Sequence, residues 1–402
     1  MRITLVSTWK IVNAGGEAER VFSLLANAMA ERGHQVTGVC FDYEAGQPGF
    51  PLDARVRFVN AGVGRKPPLW LTKTAINLRS LSFSRPRRRE KRLLLWEKFV
   101  GEPLTTAVKR TEPDVVIVFR AADAHLLKCC GNITVPLVVM SHNSTDKFLP
   151  NYAPDALKKA VEQSAAVQVL MPEFVDEVKA VIPKARVVVI PNAVPQYRET
   201  ADRSSHTIIN VARISYQKHQ DLLVKAFALL ADRYPDWQVK IWGGNNDQPE
   251  KITELQTLID QEGLKNRIHL CGTTDRVPQK LMKASILAFP SRWEGFSLAL
   301  TEAMSLGLPA VGCLNCPSVN HLIRHEENGL LSDDSPQSYA RMLSRLMENE
   351  ELRCRLGNIA KKDMQAYDAE NIWQRWETLL FSVTGTEVQR ENRHFDECRS
   401  RS

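Results

Sequence analysis

The chain has 402 residues, 44% of them hydrophobic and 25% charged, with a formal net charge of +7. That is the make-up of a globular protein too long for one core, so two domains of about 150–200 residues are expected. It excludes a chain of membrane spans, because no apolar run reaches the roughly 18–20 residues that cross a bilayer.

The first half opens with a strand at Ile3–Ser7, a turn at Ala14-Gly15-Gly16, a helix over Glu19–Arg32 with apolar residues at helical spacing, and a strand at Gln35–Phe41. Continuous apolar runs at Val115–Phe119, Leu137–Ser141, Ala166–Leu170 and Val187–Pro191 suit parallel strands covered on both faces. Between them, Arg65 to Lys98 carry eleven Lys/Arg against two Glu, more than the excess of the whole chain. This basic insertion (64–99) reads either as a solvated helix or as a surface for anionic lipid headgroups through Arg85–Arg92. No helix-turn-helix, zinc-finger or ribonucleoprotein motif supports nucleic acid as its partner.

The second half repeats the pattern. Strands are expected at Ile208–Val211, Gln238–Trp242, Ile268–Cys271, Ile286–Pro290 and Pro309–Gly312. Helices are expected at Asp221–Asp232, Ile252–Glu262, Leu298–Leu306, Pro336–Glu348 and Glu351–Tyr367. Alternation of this kind predicts an α/β protein of two doubly wound, Rossmann-like domains, 1–193 and 194–368. A last amphipathic helix falls within 369–384, and residues 385–402 read as a polar, disordered tail. The amino-terminal stretch MRITLVSTWK reads as a strand rather than a leader peptide, so a cytoplasmic location is expected. The eight cysteines read as reduced, mostly buried thiols; Cys129-Cys130 and Cys313-x-x-Cys316 lack the second closely spaced Cys/His pair that a zinc site would need.

Ligands of open parallel sheets bind beyond the carboxyl ends of the strands, and four features fall there. In Glu294-Gly295-Phe296-Ser297, Ser297 is placed to cap the helix Leu298–Leu306, whose free N–H groups suit an anion, with Gly295 allowing close approach. Glu294 and Glu302 flank that point; two carboxylates would repel a phosphate but suit sugar hydroxyls, so the three together describe a nucleotide sugar. Arg213 and Lys218, after the first strand of the second half, could hold a diphosphate and absorb the charge that grows as it leaves. Gly15-Gly16 offers a weaker phosphate approach, and His142 after an apolar strand is either structural or placed to orient a hydroxyl. The absence of an Asp-x-Asp motif speaks against a diphosphate held by a divalent metal, so no metal and no cofactor are expected. G-x-S-x-G, H-E-x-x-H and P-loop patterns are also missing.

At these residues the chain resembles the retaining glycosyltransferases of family 4, of the bacterial surface-polysaccharide type. The resemblance covers nearly the whole chain and is strongest from 188 to 333, through Ile190-Pro191-Asn192, the Arg213…Lys218 loop, Trp242-Gly243-Gly244, Gly272 and the run EGFSLALTEAMSLGLP with its E-x7-E spacing. It implies the GT-B fold, in which two such domains face each other across a cleft and the last helix crosses back to the first domain. It implies Glu302 on the ribose, Glu294 on the transferred hexose, backbone N–H groups of Gly295, Phe296 and Ser297 on sugar and phosphate, Arg213 and Lys218 on the diphosphate, and His142 beside the donor sugar. Donor-binding residues would then be Gly15, Gly16, Arg213, Lys218, Gly272, Glu294, Gly295, Phe296, Ser297 and Glu302, with Glu294, His142, Arg213 and Lys218 catalytic. The implied reaction is metal-independent, retaining transfer of a hexose from a nucleoside diphosphate sugar, UDP foremost, to a glycan acceptor. A lipid-linked acceptor is expected, in surface polysaccharide or lipopolysaccharide synthesis, with the protein peripheral on the inner membrane face. A non-catalytic sugar-nucleotide-binding subunit and a GT-B epimerase are the alternatives. Two places depart from the family. Its Gly-Gly-x-Glu-Arg reads as Gly15-Gly16 with one residue inserted, or as Gly16-Glu17-Ala18-Glu19-Arg20 with the second Gly replaced. The glycine-rich sugar loop reads Cys313-Leu314-Asn315-Cys316-Pro317-Ser318.

Overall fold

The computed structural model describes residues 1–65, 97–142, 148–149, 155–245 and 248–385. Two parallel sheets organise it. The first contains β1 (Arg2–Ser7), β2 (Gln35–Cys40), β3 (Arg57–Asn60), β4 (Val115–Val118), β5 (Leu137–Met140), β6 (Ala166–Val169) and β7 (Val187–Val189), in the order β3-β2-β1-β4-β5-β6-β7. The second contains β8 (Thr207–Val211), β9 (Gln238–Trp242), β10 (Ile268–Leu270), β11 (Ile286–Phe289), β12 (Ala310–Cys313) and β13 (Gly329–Ser332), in the order β10-β9-β8-β11-β12-β13. In both, the strand order reverses once, beside β1 and β4 in one and β8 and β11 in the other, the place where doubly wound sheets open a crevice.

The middle strands show why the runs are uniformly apolar. Every residue of β4, β5, β6, β8 and β11 is buried, because helices cover both faces. The first sheet carries helices α1 (Glu17–Glu31), α2 (Glu102–Lys109), α3 (Ala121–Gly131), α4 (Asp155–Glu162) and α5 (Glu173–Val181). The second carries α6 (Gln220–Ala228), α7 (Glu250–Gln261), α8 (Val277–Leu281), α9 (Leu298–Ser305), α10 (Pro317–Leu322), α11 (Pro336–Glu348) and α12 (Glu350–Asp363). The final helix, α13 (Ala369–Thr384), buries Ile372, Trp376, Leu379 and Leu380. Its Glu377 pairs with Arg32 (3.3 Å) and His34 (3.0 Å) at the end of α1, so the carboxyl-terminal helix lies on the first sheet's side of the molecule.

Several expected bounds change. α1 begins at Glu17 rather than Glu19, because Gly16 takes the N-cap position and the Glu19 carboxyl folds back on its N–H. The helix expected to reach Asp232 stops at Ala228, ahead of the turns that lead to Pro235. The one expected to reach Tyr367 stops at Asp363 and tightens into a 3-10 turn over Met364–Tyr367. Cys129 and Cys130 are exposed rather than buried, whereas Cys40, Cys313 and Cys316 lie in the cores. Most of the basic insertion, Arg85–Arg92 included, and the tail beyond Gly385 lie outside the described residues. Among the described residues no helix is long and apolar enough to cross a membrane.

Candidate active site

The loops after β8 and β11 meet at the second sheet's reversal point. The β8 loop is staked from below: the Gln220 side-chain amide donates to the Arg213 carbonyl (3.0 Å) and that of Asn245 to the Ile214 carbonyl (2.8 Å). Gly243 lets β9 pass close under it, since a Cβ there would run into the Ala212 carbonyl. The β11 loop is tied to it by Gln217 donating to the Trp293 carbonyl (2.9 Å) and by Arg292 N–H donating to the Gln217 carbonyl (2.9 Å). From the other side, the Ser318 hydroxyl donates to the Glu294 carbonyl (3.0 Å).

On this platform Lys218 Nζ bridges both carboxylate oxygens of Glu294, at 2.6 and 2.9 Å. Glu294 is only 4% exposed. Ser297 caps α9, its hydroxyl accepting from Leu300 N–H (3.4 Å). Phe296 turns its ring into the core against Tyr367, with centroids 5.3 Å apart. Glu302 is 1% exposed. Arg213 is exposed at the rim, across the cleft from Glu19, whose carboxyl is pushed up by burial against the weaker pull of that guanidinium. Gly272 turns the chain after β10 with φ +70° and accepts from Gly243 N–H (2.8 Å); no described contact joins it to Glu294 or Glu302.

The first sheet supplies the opposite wall. Gly16 caps α1, and Gly15 before it is exposed with open space where a Cβ would stand. The first turns of α1 reach across the cleft. Glu17 Oε1 accepts from Leu298 N–H (3.2 Å), so a carboxyl sits on the amino-terminal end of α9. Glu17 is open to the cleft on one side and crowded by protein on the others. Desolvation pushes its carboxyl up to about 7, against the pull of Lys218 and with a further push from Glu294. One turn on, Arg20 Nη2 forms a very short ion pair with Glu302. Neither Glu17 nor Arg20 stood out as a site residue in the sequence, although both lie within the Gly16-Glu17-Ala18-Glu19-Arg20 reading of the family motif.

His142 follows β5. Its ring stacks on Phe119 (centroids 4.8 Å apart, planes at 20°) and tilts against Trp9 (5.6 Å). Nε2 is buried with no hydrogen-bond partner among the described residues. Desolvation holds the imidazole down to about 3, so it stands neutral in the cleft wall. Its carbonyl faces Gly295 so closely that a Cβ on that glycine would lie 2.9 Å from the carbonyl carbon and nearer still to the oxygen. Beneath it, Asp123 is fully buried, accepts from Thr8 N–H (3.3 Å) and makes a very short hydrogen bond to the Thr8 hydroxyl. Desolvation raises that carboxyl to about 6 against the pull of Arg120, which also donates to Thr8 Oγ1 (3.2 Å). Thr8, Trp9, Arg120 and Asp123 complete the wall around His142; no motif in the sequence marked them.

Two parallel-sheet domains meeting at a capped helix, two flanking carboxylates and a basic loop define a class, the GT-B glycosyltransferases. Comparison with solved structures agrees on the fold. Sucrose-phosphate synthase from Thermosynechococcus elongatus superposes with a TM-score of 0.78 at 18% identity, over 96% of this chain and 99% of the other. Anabaena Alr3699/HepE in complex with UDP and glucose superposes with a TM-score of 0.71 at 19% identity, over 95% and 100%. Residues 14–197 match the model of Glycosyltransferase Family 4, and residues 196–363 that of Glycosyl transferases group 1. An uncharacterised glycosyltransferase of Haemophilus influenzae is 25% identical over 92% of this chain and 97% of its own length. The amylovoran biosynthesis glycosyltransferase AmsD of Erwinia amylovora is 22% identical over the same shares. The chain belongs to the family 4, group 1 glycosyltransferases, and its activity is glycosyl transfer.

Proposed function

We propose that the protein transfers a hexose from a nucleoside diphosphate sugar, with UDP the first nucleotide to test, to a hydroxyl of a glycan acceptor in polysaccharide synthesis, with retention at the anomeric carbon and without a metal. The observation that supports it most is the Glu17 carboxyl on the amino-terminal end of α9. An acidic group already rests where a donor phosphate would, beside Lys218. Arg20 likewise holds the Glu302 carboxylate that would accept hydrogen bonds from ribose hydroxyls.

In this reading the donor enters by displacing the two α1 side chains. Its diphosphate takes the α9 N–H groups from Glu17 and gains Lys218 and Arg213 as counter-charges, which stabilise the leaving diphosphate as its charge grows. Glu294, held from behind by Lys218, accepts from hydroxyls of the hexose. Neutral His142, whose Nε2 has no partner among the described residues, offers one hydrogen bond to the sugar without adding a charge to the cleft. As the family resemblance implies, the acceptor attacks on the face from which the diphosphate departs, and a leaving-group oxygen takes its proton. Contact of Gly295 with the His142 carbonyl closes the domains and keeps water from the donor.

The kinship with AmsD supports a growing polysaccharide as acceptor, and the basic tract Arg85–Arg92 supports a lipid-linked one at the cytoplasmic face of a membrane. The test is a panel of nucleotide sugars in the presence of EDTA. Nucleoside diphosphate release that depends on an added glycan acceptor, with a product whose anomeric proton coupling matches the donor configuration, supports the proposal. An inverted product, or release only with added Mg²⁺ or Mn²⁺, rejects it.

A further inference from the structure

At α3, three donor groups face one another. His125 and Cys129 stand one turn apart on the same side of α3, and Glu97 approaches from the π-helical turn Glu97–Gly101. Their ligand atoms all lie within 4.8 Å of one another. His125 Nε2 is 2.6 Å from Glu97 Oε1 and 3.5 Å from Cys129 Sγ, and Cys129 Sγ is 3.4 Å from Cys130 Sγ.

Two features set this cluster apart from an ordinary ion pair with thiols nearby. His125 Nε2 faces both a carboxylate oxygen and a thiol sulfur at bonding distance, three ligand atoms that one cation can share. The spacings also suit a tetrahedral ion. With Zn–S of about 2.3 Å and Zn–N of about 2.0 Å, a sulfur and a nitrogen on one zinc lie about 3.5 Å apart, the separation of Cys129 Sγ and His125 Nε2. Around such an ion the Glu97 carboxylate would withdraw from His125 by roughly 0.7 Å. Gly101 serves the arrangement as well. A Cβ there would come within 3.0 Å of Cys130 Cβ and closer to its sulfur, so the glycine is what lets α3 bring its two thiols against the π turn. Carboxylate, imidazole and thiolate together match zinc rather than the oxygen-seeking Mg²⁺ or Ca²⁺.

We infer that Glu97, His125 and Cys129 bind one zinc ion, with a water as the fourth ligand. The ion would clamp α3 to the π turn. It would stand apart from the donor cleft, where the transfer itself is proposed to need no metal. It would also steady the helix whose first turn holds Thr8 through Asp123.

The test is calorimetric titration of ZnCl2 into full-length protein stripped with chelator and kept reduced, alongside Cys129→Ser, His125→Ala and, as a control, Cys354→Ser. We expect one zinc per chain, at least about tenfold weaker binding in the first two variants, and no change in the third. Cobalt loaded in place of zinc should show thiolate-to-metal absorption that Cys129→Ser abolishes. Circular dichroism and UDP binding equal to wild type show that each variant is folded. Lack of stoichiometric zinc in wild type, or equal binding in folded Cys129→Ser and His125→Ala, overturns the inference and leaves a Glu97–His125 ion pair.

Discussion

Gly295→Ala is the sharpest probe of domain closure. The new methyl would lie 2.9 Å from the His142 carbonyl carbon, closer to the oxygen, and 3.2 Å from Leu170 Cδ1. Leu170 can rotate, but the carbonyl belongs to the backbone after β5, so the two domains must part. Clearing the carbonyl takes a displacement on the order of 1 Å, and a misplacement of that size in a reacting geometry costs about 10²-fold in rate. That equals about 2.7 kcal/mol of barrier. Neither sheet is touched, so the melting temperature should hold. The assay is the initial rate of nucleoside diphosphate release with acceptor present, set beside calorimetric donor binding. We expect kcat to fall about 10²-fold with donor affinity changed much less. Wild-type turnover in folded Gly295→Ala would refute closure through this contact.

Other outcomes follow from the same geometry. Arg213→Ala alters an exposed side chain, so stability should stay within about 0.5 kcal/mol. Transfer should nonetheless fall by about 10²–10³-fold if the guanidinium takes up leaving-group charge, as steady-state kinetics would show. Lys218→Ala should lower transfer similarly and also strand buried Glu294, costing about 3–5 kcal/mol in denaturant unfolding. The unfolded chain protonates His142 near its ordinary 6.5, whereas the folded chain does so only near 3. This contribution to stability is therefore present above 6.5 and lost as pH falls through that window, by at most about 1.4 kcal/mol per pH unit, and His142→Gln should flatten that part of the stability profile. Neutralising Arg87, Arg88, Arg89 and Arg92 should reduce co-sedimentation with vesicles rich in anionic lipid; unchanged sedimentation would reject membrane contact through that tract.

What could be read from the sequence was what local chemistry sets. Strands such as β4, β5 and β8 are continuous apolar runs, and the Ser297 cap with Glu294 and Glu302 lies within one stretch of nine residues. What escaped depends on distant partners. β3 is four half-exposed residues with no apolar run, and only its pairing with β2 makes it a strand. The pairing of Arg20 with Glu302 joins residues 282 positions apart and arises only when the domains close. Nothing in the sequence marks Asp123, which meets Thr8 only because the topology sets β1 beside β4. His125 and Cys129 lie four residues apart in the sequence, but Glu97 is 28 positions from His125 and meets it only through the packing of α3 against the π turn.

The central claim is that the amino-terminal end of α9 and its two glutamates form a nucleotide-sugar site that needs no metal. The direct measurement is calorimetric titration of UDP, with GDP and ADP in parallel, into wild type and Glu302→Gln in EDTA. The account predicts one site per chain for at least one of the nucleotides. Loss of a charged hydrogen-bond acceptor for the ribose is worth about 1.5–3 kcal/mol, so affinity should weaken by about 10- to 150-fold in a folded Glu302→Gln variant. Binding of none of the three to wild type without a divalent metal, or equal affinity in the two proteins, would contradict it.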